Sequence, residues 1–259
     1  MKIGVTGYYG NVGSRLVRQG CQPLKFDVTN KDAVSDVLYV ERPDVIIYCA
    51  GLTDVDECEK DRKKAVDVNA KGVSNIVDVY SGKLIYISTD HVFDGQKFLS
   101  GGYSESNRPN PINRYGMTKL AGELMAKNGR SDSRIIRTSK LFTTSGVRQS
   151  LESAKEVTTV LKRSFCHVEH FINGLHFVLD NWEKIPTILN IAGDSVYSYY
   201  DFYYQAAIAL GIEPKFAKRT HYSTSGFTPR PQRGGLNVKK AQRLGVPIYN
   251  IFEGLNLDD

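Results

Sequence analysis

The chain has 259 residues, of which 41% are hydrophobic and 24% are charged, as in ordinary globular proteins. Its net charge of +6 comes from dispersed basic residues without a recognisable nucleic-acid-binding module, so we expect a small phosphorylated substrate and no nucleic-acid partner. No apolar run has the length of a membrane span and no secretory signal is evident, so we expect a cytoplasmic protein without membrane association. The four cysteines lack Cys-x-x-Cys spacing, which favours reduced thiols over disulfides or a zinc site.

The chain begins with an apolar strand at residues 2–6, a glycine-rich turn and an amphipathic helix. In the turn, Gly7 permits the bend, Gly10 lets a pyrophosphate approach the backbone, and Gly13 lets the helix pack close to the strand. The spacing Gly-x-x-Gly-x-x-Gly differs from the commonest dinucleotide fingerprint, and a purely structural turn is the alternative. Its position after the first strand favours dinucleotide binding at the helix N-terminus.

Asp27 follows Gly7 by the distance at which the standard fingerprint places an acid on the adenosine ribose. Such an acid repels the extra phosphate of NADP, so the residue taken by itself favours NAD. Residues 20–29 leave room for about one short strand before the next helix.

Two nearly continuous apolar runs, residues 44–51 and 83–90, predict parallel strands covered on both faces by helices. The first ends in Ala50-Gly51, where a nicotinamide or its ribose could approach the backbone. The second ends in Ser88-Thr89, and ligands of open α/β sheets bind beyond the carboxyl ends of strands. An amphipathic helix between the runs carries Asn69, for which a side-chain hydrogen bond to the backbone is the alternative role.

A loop rich in Gly and Pro, residues 91–111, leads to Tyr115-x-x-x-Lys119. A helix starting after Pro111 would put the phenol and the ammonium on one face. A neighbouring ammonium stabilises a phenolate and makes the phenol a better acid near neutrality, which is the property needed to protonate an alkoxide. With 15 Tyr in the chain, about one such pattern is expected by chance, and a packed Tyr with a solvated Lys is the alternative.

After a short strand at residues 134–137 the regular alternation of strands and helices fades. Helical periodicity returns at residues 150–163, 170–182 and 198–210, with a strand at 187–191. We expect an α/β fold with a Rossmann-like doubly wound parallel sheet, an NAD(P)-binding domain at residues 1–142 and a smaller substrate-binding lobe at 143–259, interleaved with the first. His167-Val-Glu-His170 is interpreted as structural, and we predict no metal site.

Several of these segments, in this order, resemble the dTDP-4-dehydrorhamnose reductase family of extended short-chain dehydrogenases/reductases. The most specific are Ser88-Thr-Asp-His-Val-Phe-Asp-Gly95 and Tyr115-Gly-Met-Thr-Lys-Leu-Ala-Gly-Glu123. Arg137-Thr-Ser139 and Pro229-Arg-Pro231 extend the resemblance over nearly the whole chain.

The resemblance implies reduction of the C4 ketone of a nucleotide-activated 6-deoxyhexose by NADPH or NADH, with dTDP-4-dehydro-L-rhamnose or a close analogue as the nucleotide-diphosphate sugar substrate. It implies that Tyr115 protonates the ketone oxygen, that Thr89 hydrogen-bonds the same oxygen, and that Lys119 holds the nicotinamide ribose and lowers the Tyr115 pKa. The implied cofactor-binding residues are Gly7, Tyr9, Gly10, Asn11, Val12, Asp27, Val28, Ala50, Gly51, Thr53, Asn69, Ser88, Tyr115 and Lys119. The implied substrate-binding residues are Thr53, Val55, Thr89, His91, Tyr115, Lys140, Arg230 and Arg233.

Some residues depart from the family pattern. By resemblance Asp27 belongs on the adenine side, which removes the argument for NAD and leaves the cofactor preference open. His91 and Lys140 stand where the family often has aromatic residues, and an ammonium seeks a carboxylate or phosphate, so a different or more acidic hexose is an alternative. Arg230 and Arg233 are candidates for the substrate diphosphate because Arg matches phosphate geometry.

Two other functions are compatible with the same sequence. The first is a nucleotide-sugar epimerase or dehydratase of the same fold, which would regenerate its cofactor. The second is a non-catalytic, cofactor-binding regulatory subunit, because the lobe after Phe142 is short for the family. The oligomeric state stays open, with a homodimer as one expectation.

Overall fold

The computed structural model describes residues 1–97, 101–220 and 228–257. Its strands are β1 (Ile3–Thr6), β2 (Gln22–Pro23), β3 (Val45–Tyr48), β4 (Lys83–Thr89), β5 (Asp132–Thr138), β6 (Lys140–Phe142), β7 (Glu156–Thr158), β8 (Lys162–Arg163), β9 (Phe165–His167), β10 (Ile188–Asn190), β11 (Tyr197–Ser198) and β12 (Ala217–Arg219). Its α-helices are α1 (Asn11–Arg18), α2 (Lys31–Glu41), α3 (Val55–Lys60), α4 (Arg62–Val66), α5 (Gly72–Val79), α6 (Arg114–Asn128), α7 (Thr144–Ser153), α8 (Val168–Asp180), α9 (Tyr199–Ala209), α10 (Lys239–Leu244) and α11 (Ile251–Leu255). A π-helical turn spans Asp67–Lys71, and 3₁₀ turns span Asp90–Val92 and Trp182–Lys184.

The chain forms two compact units, each built from separate stretches of sequence. The first unit contains Met1–Val92, Pro111–Arg137 and Ile185–Leu189. The second contains the described residues of Phe93–Asn110, Thr138–Lys184 and Asn190–Asp259. The stretches of the two units alternate along the chain. The division into a cofactor-binding domain at residues 1–142 and a substrate-binding lobe at 143–259 remains a prediction.

The first unit holds a six-stranded sheet in the order β10-β5-β4-β3-β1-β2. β1 pairs in parallel with both β2 and β3, and β3 pairs in parallel with β4. The predicted α/β fold with a Rossmann-like sheet is therefore confirmed. Chain order reverses at β1, so the crevice beyond the carboxyl ends of β1 and β3 is the topological switch point where such sheets bind ligands.

Helices cover both faces of this sheet, which explains its unbroken apolar strands. All four residues of β3 are buried, and the runs predicted at residues 44–51 and 83–90 are confirmed as β3 and β4. One strand, β2, lies between α1 and α2, and residues 19–30 are all described. The segment between β3 and β4 is largely helical and contains α3, α4, the π turn and α5.

The second unit is held by short strand pairs and an aromatic core. β6 pairs with β9 and β7 with β12 in parallel, and β8 pairs with β11 antiparallel. In the core the rings of Phe165 and Phe202 stack with their centroids 3.8 Å apart. The helices predicted at residues 170–182 and 198–210 are confirmed as α8 and α9.

The helix predicted over residues 150–163 is wrong beyond its first turn. α7 ends at Ser153, and β7 and β8 follow it. The residues of Val157-Thr-Thr-Val160 are all β-branched, and such side chains lose rotamer freedom in a helix and pack well in a strand. Their strand preference therefore outweighs the helical spacing of the apolar residues.

The described helices are all too short or too polar to cross a bilayer. All four cysteines lie in the described part of the chain and are free thiols.

Candidate active site

The glycine-rich turn after β1 is packed so closely that a side chain on Gly7 or Gly13 would clash with the backbone. Gly7 has a φ of +62°, and a Cβ there would lie 2.5 Å from the Ala50 nitrogen. A Cβ on Gly13 would lie 2.4 Å from the Gly7 oxygen. The Gly10 N–H donates to that same oxygen at 2.9 Å. The backbone therefore forms a bare concave turn at the switch point of the sheet.

Helix α1 presents its N-terminus at this turn. Its N-cap residue, Gly10, is extended and supplies no capping side chain, and its first turn has no acidic residue. The Arg15 side chain donates to the carbonyl of Asn11 at 3.1 Å. Uncapped first-turn N–H groups and the positive end of the helix dipole suit a diphosphate. Tyr9 is 87% exposed beside this turn. The turn therefore fits the cofactor that the sequence predicts.

We expect Gly7→Ala to weaken NADPH binding by about tenfold or more, equivalent to ~1.4 kcal/mol, because the turn must shift to admit the methyl group. Gly20→Ala is the matched control, since Gly20 also has a positive φ, +97°, but a Cβ there would have no atom within 4 Å. It should cost about 1–2 kcal/mol of stability and leave NADPH affinity unchanged. Calorimetric titration with NADPH measures the affinity of each variant. Equal affinities in the two variants would contradict the role given to the turn.

The segment after β3 is held by one amide side chain. The Leu52 N–H donates to Asn69 Oδ1 at 2.9 Å, and Asn69 Nδ2 donates to the Leu52 oxygen and to Thr118 Oγ1, each at 3.0 Å. The Ala50 N–H donates to Thr6 Oγ1 at 3.2 Å. Asn69 thus fixes the backbone next to Ala50, Gly51 and Thr53 through both polar atoms of Leu52, and it ties this segment to α6 through the Thr118 hydroxyl.

Helix α6 begins at Arg114, close to the predicted start after Pro111. The Asn113 side chain accepts from the Gly116 N–H at 2.8 Å, and the Glu59 carboxylate accepts from the Arg114 N–H at 2.7 Å. Both contacts satisfy first-turn N–H groups. A Cβ on Gly116 would lie 2.1 Å from the His91 oxygen, so the first turn of α6 packs directly on the segment after β4.

This packing brings Tyr115 to Thr89 and His91. The rings of His91 and Tyr115 lie edge to face with centroids 5.4 Å apart, and His91 Nδ1 lies 3.2 Å from Asn113 Nδ2. Burial raises the pKa of Tyr115, a hydrogen bond from the Thr89 hydroxyl lowers it, and the Asp90 charge raises it. The expected lowering of the Tyr115 pKa by Lys119 is not what the structure has, because desolvation dominates.

Lys119 is buried one turn along α6. Its side chain is 5% exposed, its Nζ donates to the Ile87 oxygen at 2.6 Å, and it lies 4.0 Å from the centroid of the Tyr86 ring. Burial lowers the pKa of Lys119 to about 7, while the neighbouring Glu123 and Cys49 raise it. The Lys119 side chain therefore changes between its amine and ammonium forms near neutral pH, unlike a solvated lysine.

Glu123, one further turn along α6, was not predicted as a functional residue. Its carboxylate receives hydrogen bonds from Arg137 Nε at 2.8 Å, from Arg137 Nη2 at 2.7 Å and from Ser88 Oγ at 2.6 Å. Arg137 and Glu123 are 2% and 3% exposed. The Ser88 hydroxyl, which the sequence predicts to bind the cofactor, thus donates its hydrogen bond to Glu123. The four-residue spacing of Glu123 from Lys119 was the available sequence signal.

Four further predicted residues belong to the first unit. Asp27 is exposed, and its carboxylate accepts from the Thr29 N–H and hydroxyl, both at 2.9 Å. Val28 is buried. Thr53 is exposed, and Val55 opens α3 after the Asp54 cap.

Lys140, Arg230 and Arg233 belong to the second unit. Lys140 is exposed at the start of β6. Arg230 Nη1 donates to the Thr228 oxygen at 2.7 Å, and Arg233 Nη1 lies 3.4 Å from the Gln96 oxygen that accepts from it. Their roles toward substrate remain predictions.

The histidines at residues 167 and 170 have structural contacts. His167 Nδ1 accepts from the Glu169 N–H at 3.3 Å and caps α8. His170 stacks on Tyr249 with ring centroids 3.7 Å apart, and burial lowers the pKa of His170 to about 4. Within the described ranges, His, Cys, Asp and Glu side chains form no group of three able to hold a metal ion.

Comparison with known proteins gives relatives of more than one kind. A dTDP-4-dehydrorhamnose reductase from Sinorhizobium fredii is 31% identical over 157 residues, which are 56% of this chain and 52% of that protein. Methionine adenosyltransferase 2 subunit beta from Danio rerio is 33% identical over 246 residues, 87% of this chain and 74% of that protein. The chain spans about half the length of several curated relatives that it matches.

A solved structure of dTDP-4-dehydrorhamnose reductase from Bacillus anthracis, in complex with NADP, superposes with a TM-score of 0.88 at 26% identity and covers 98% of each chain. The family model described as the RmlD substrate binding domain matches residues 1–253. The chain therefore belongs to the RmlD substrate-binding-domain family.

Proposed function

We propose that the chain is an NAD(P)H-dependent reductase that acts on the C4 ketone of a nucleotide-activated 6-deoxyhexose, with dTDP-4-dehydrorhamnose or a close analogue as substrate. The observation that carries this proposal is the convergence of Thr89, Tyr115 and buried Lys119 beyond the carboxyl end of β4, in the sheet whose switch point holds the bare glycine turn. A ketone needs a proton donor at its oxygen, and these residues supply one.

Tyr115 is the donor in this proposal. Because burial favours the neutral phenol, Tyr115 keeps its proton at physiological pH and can give it to the C4 oxygen. The Thr89 hydroxyl orients the same oxygen by a hydrogen bond. Lys119, whose pKa lies at about 7, supplies positive charge to the site below that pH.

The cofactor would be held by the first unit. Gly7, Gly10 and Gly13 with the N-terminus of α1 would receive its diphosphate, and the backbone at Ala50-Gly51 would border its nicotinamide end. The bound dinucleotide supplies the hydride. The Bacillus anthracis relative was solved with NADP, which supports a place for NADPH, while the preference between NADPH and NADH stays open.

One incubation tests the proposal. Purified protein is mixed with NADPH or NADH and a panel of dTDP-, UDP- and GDP-linked 4-keto-6-deoxyhexoses, and loss of reduced-nicotinamide absorbance is followed while the product is identified. We expect net cofactor oxidation and a 4-hydroxy sugar with at least one substrate. An epimerase or dehydratase would regenerate its cofactor, so product without net oxidation would overturn the reductase proposal.

A second candidate function is a non-catalytic subunit, favoured by the 33% identity to an adenosyltransferase subunit from Danio rerio. It predicts NADPH binding without turnover of any 4-keto sugar, together with a change in the activity of a methionine adenosyltransferase catalytic chain when the two are mixed. Turnover in the panel decides against it as the main function. A cytoplasmic location and a homodimer remain predictions from the sequence.

A further inference from the structure

Two buried tyrosines lie side by side beneath the candidate site. Tyr48 on β3 and Tyr86 on β4 are register partners in the parallel sheet, with ring centroids 5.7 Å apart and no exposed surface. Register partners on adjacent strands point to the same face of the sheet. Both rings therefore face the same covering helices, within the first unit.

Both hydroxyls end on the π-helical turn that carries Asn69. Tyr48 donates to the Val68 oxygen at 2.7 Å, and Tyr86 donates to the Asn69 oxygen at 3.1 Å. A π turn interrupts the regular helical ladder, and buried carbonyl groups in such a place need partners. The two hydroxyls supply those partners at consecutive residues.

Glycines make room for both hydroxyls. A Cβ on Gly72 would lie 2.5 Å from the Tyr48 hydroxyl oxygen, and a Cβ on Gly122 would lie 2.2 Å from that of Tyr86. The two tyrosines are thus equivalent in strand position, burial and attachment to the π turn.

Contact with Lys119 distinguishes them. The Tyr86 hydroxyl also lies 3.3 Å from the Lys119 backbone oxygen, and the Lys119 Nζ lies 4.0 Å from the centroid of the Tyr86 ring. An ammonium at this distance from a phenol ring is stabilised by a cation–π interaction. Tyr86 therefore touches the turn that carries Asn69, the backbone of α6 and the ammonium of Lys119.

We propose that Tyr86 is a positioning residue of the candidate active site, whose ring supports the Lys119 ammonium and whose hydroxyl couples the turn of Asn69 to helix α6. The inference rests on the proposed function in so far as Lys119 and Asn69 serve the reaction. It assigns Tyr86 a task beyond filling the core.

The ring has a defined effect on the charge of Lys119. The other titratable groups that act on that ammonium are Glu123, which is paired with Arg137, and Cys49 after β3. Leucine keeps the surroundings of Lys119 apolar but lacks the π face, so Tyr86→Leu takes the cation–π stabilisation from the charged form and the pKa of Lys119 falls below its starting value of about 7. From the usual size of cation–π interactions we expect a fall of about one pH unit.

The test compares Tyr86→Leu, Tyr86→Phe and the matched control Tyr48→Phe. Lysine side-chain carbon resonances are followed by NMR across pH, and Lys119→Met identifies the Lys119 signal. We expect Tyr86→Leu to lower the Lys119 midpoint, and both Phe variants to leave it unchanged because they keep their rings. An unchanged midpoint in a folded Tyr86→Leu protein, or an equal shift in Tyr48→Phe, would overturn the role of the ring.

NADPH titration tests the hydroxyl. Tyr86→Phe should raise the NADPH Kd several-fold because Asn69 and Lys119 are no longer coupled, whereas Tyr48→Phe should match the wild type. Equal Kd values in the two Phe variants would overturn the coupling by the hydroxyl, and this comparison holds even if Tyr86→Leu fails to fold. Neither readout needs sugar turnover, so an inactive sugar panel would reject the proposed reaction and leave this result standing.

Discussion

Tyr115→Phe is expected to lower kcat for ketone reduction by about 10³-fold while leaving NADPH affinity unchanged. The substitution removes the proton that Tyr115 gives to the C4 oxygen, and general acid catalysis contributes about 10²–10⁴-fold. The ring itself stays, so its packing against His91 is kept. Steady-state kinetics with the best sugar of the panel, together with NADPH titration, measure the two quantities.

Tyr80→Phe is the matched control for that experiment. Tyr80 lies in the same unit, and its hydroxyl donates to the Pro43 oxygen at 3.1 Å, at the amino end of the sheet. It should retain wild-type kcat. A Tyr115→Phe enzyme as active as Tyr80→Phe would remove Tyr115 from the chemistry.

Arg137→Met is expected to destabilise the fold by about 3–5 kcal/mol, the usual cost of leaving one partner of a buried ion pair alone. The pair is bidentate and nearly inaccessible to water, and the Ser88 hydroxyl shares the carboxylate. Without the guanidinium, the Glu123 charge stays in a site of low dielectric. Urea unfolding followed by circular dichroism measures the loss.

Two comparisons make this measurement specific. The double variant Glu123→Leu/Arg137→Met removes both charges, and it should recover most of the lost stability. Asp78→Asn breaks the Lys31–Asp78 pair, whose side chains are 53% and 45% exposed, and should cost less than about 1 kcal/mol. If Arg137→Met lowered the free energy of unfolding by no more than Asp78→Asn does, the buried pair would contribute no more to stability than an exposed one.

The parts of the site that sequence could predict are those set by local geometry. Gly7 has a positive φ of +62°, Gly13 lies against the backbone of Gly7 a few residues earlier, and the end of β4 is marked by an apolar run that stops at Ser88-Thr89. The start of α6 follows from Pro111 and the capping side chain of Asn113. Such features depend on neighbours in the chain, and the family resemblance added only their roles.

The parts that could not be predicted depend on distant contacts. Spacing alone suggested that Lys119 lowers the pKa of Tyr115, but burial acts on both groups and reverses the balance. The extra residue of the π turn, which carries the buried Asn69, leaves no periodic signal in the sequence. Glu123 meets Arg137 only when β5 joins the sheet beside β4.

The alternation of the two units along the chain has a consequence for biosynthesis. The first unit receives its last piece, Ile185–Leu189, after Phe93–Asn110 and Thr138–Lys184 of the second have already been translated. That piece contributes Ile188 and Leu189 of β10, the edge strand next to β5. Until it leaves the ribosome, β5 is an open edge carrying Ile135 and Ile136, a surface prone to pairing with other nascent chains. During the interval of translation between β5 and β10, the outer edge of β5 therefore has no strand to pair with in its own chain.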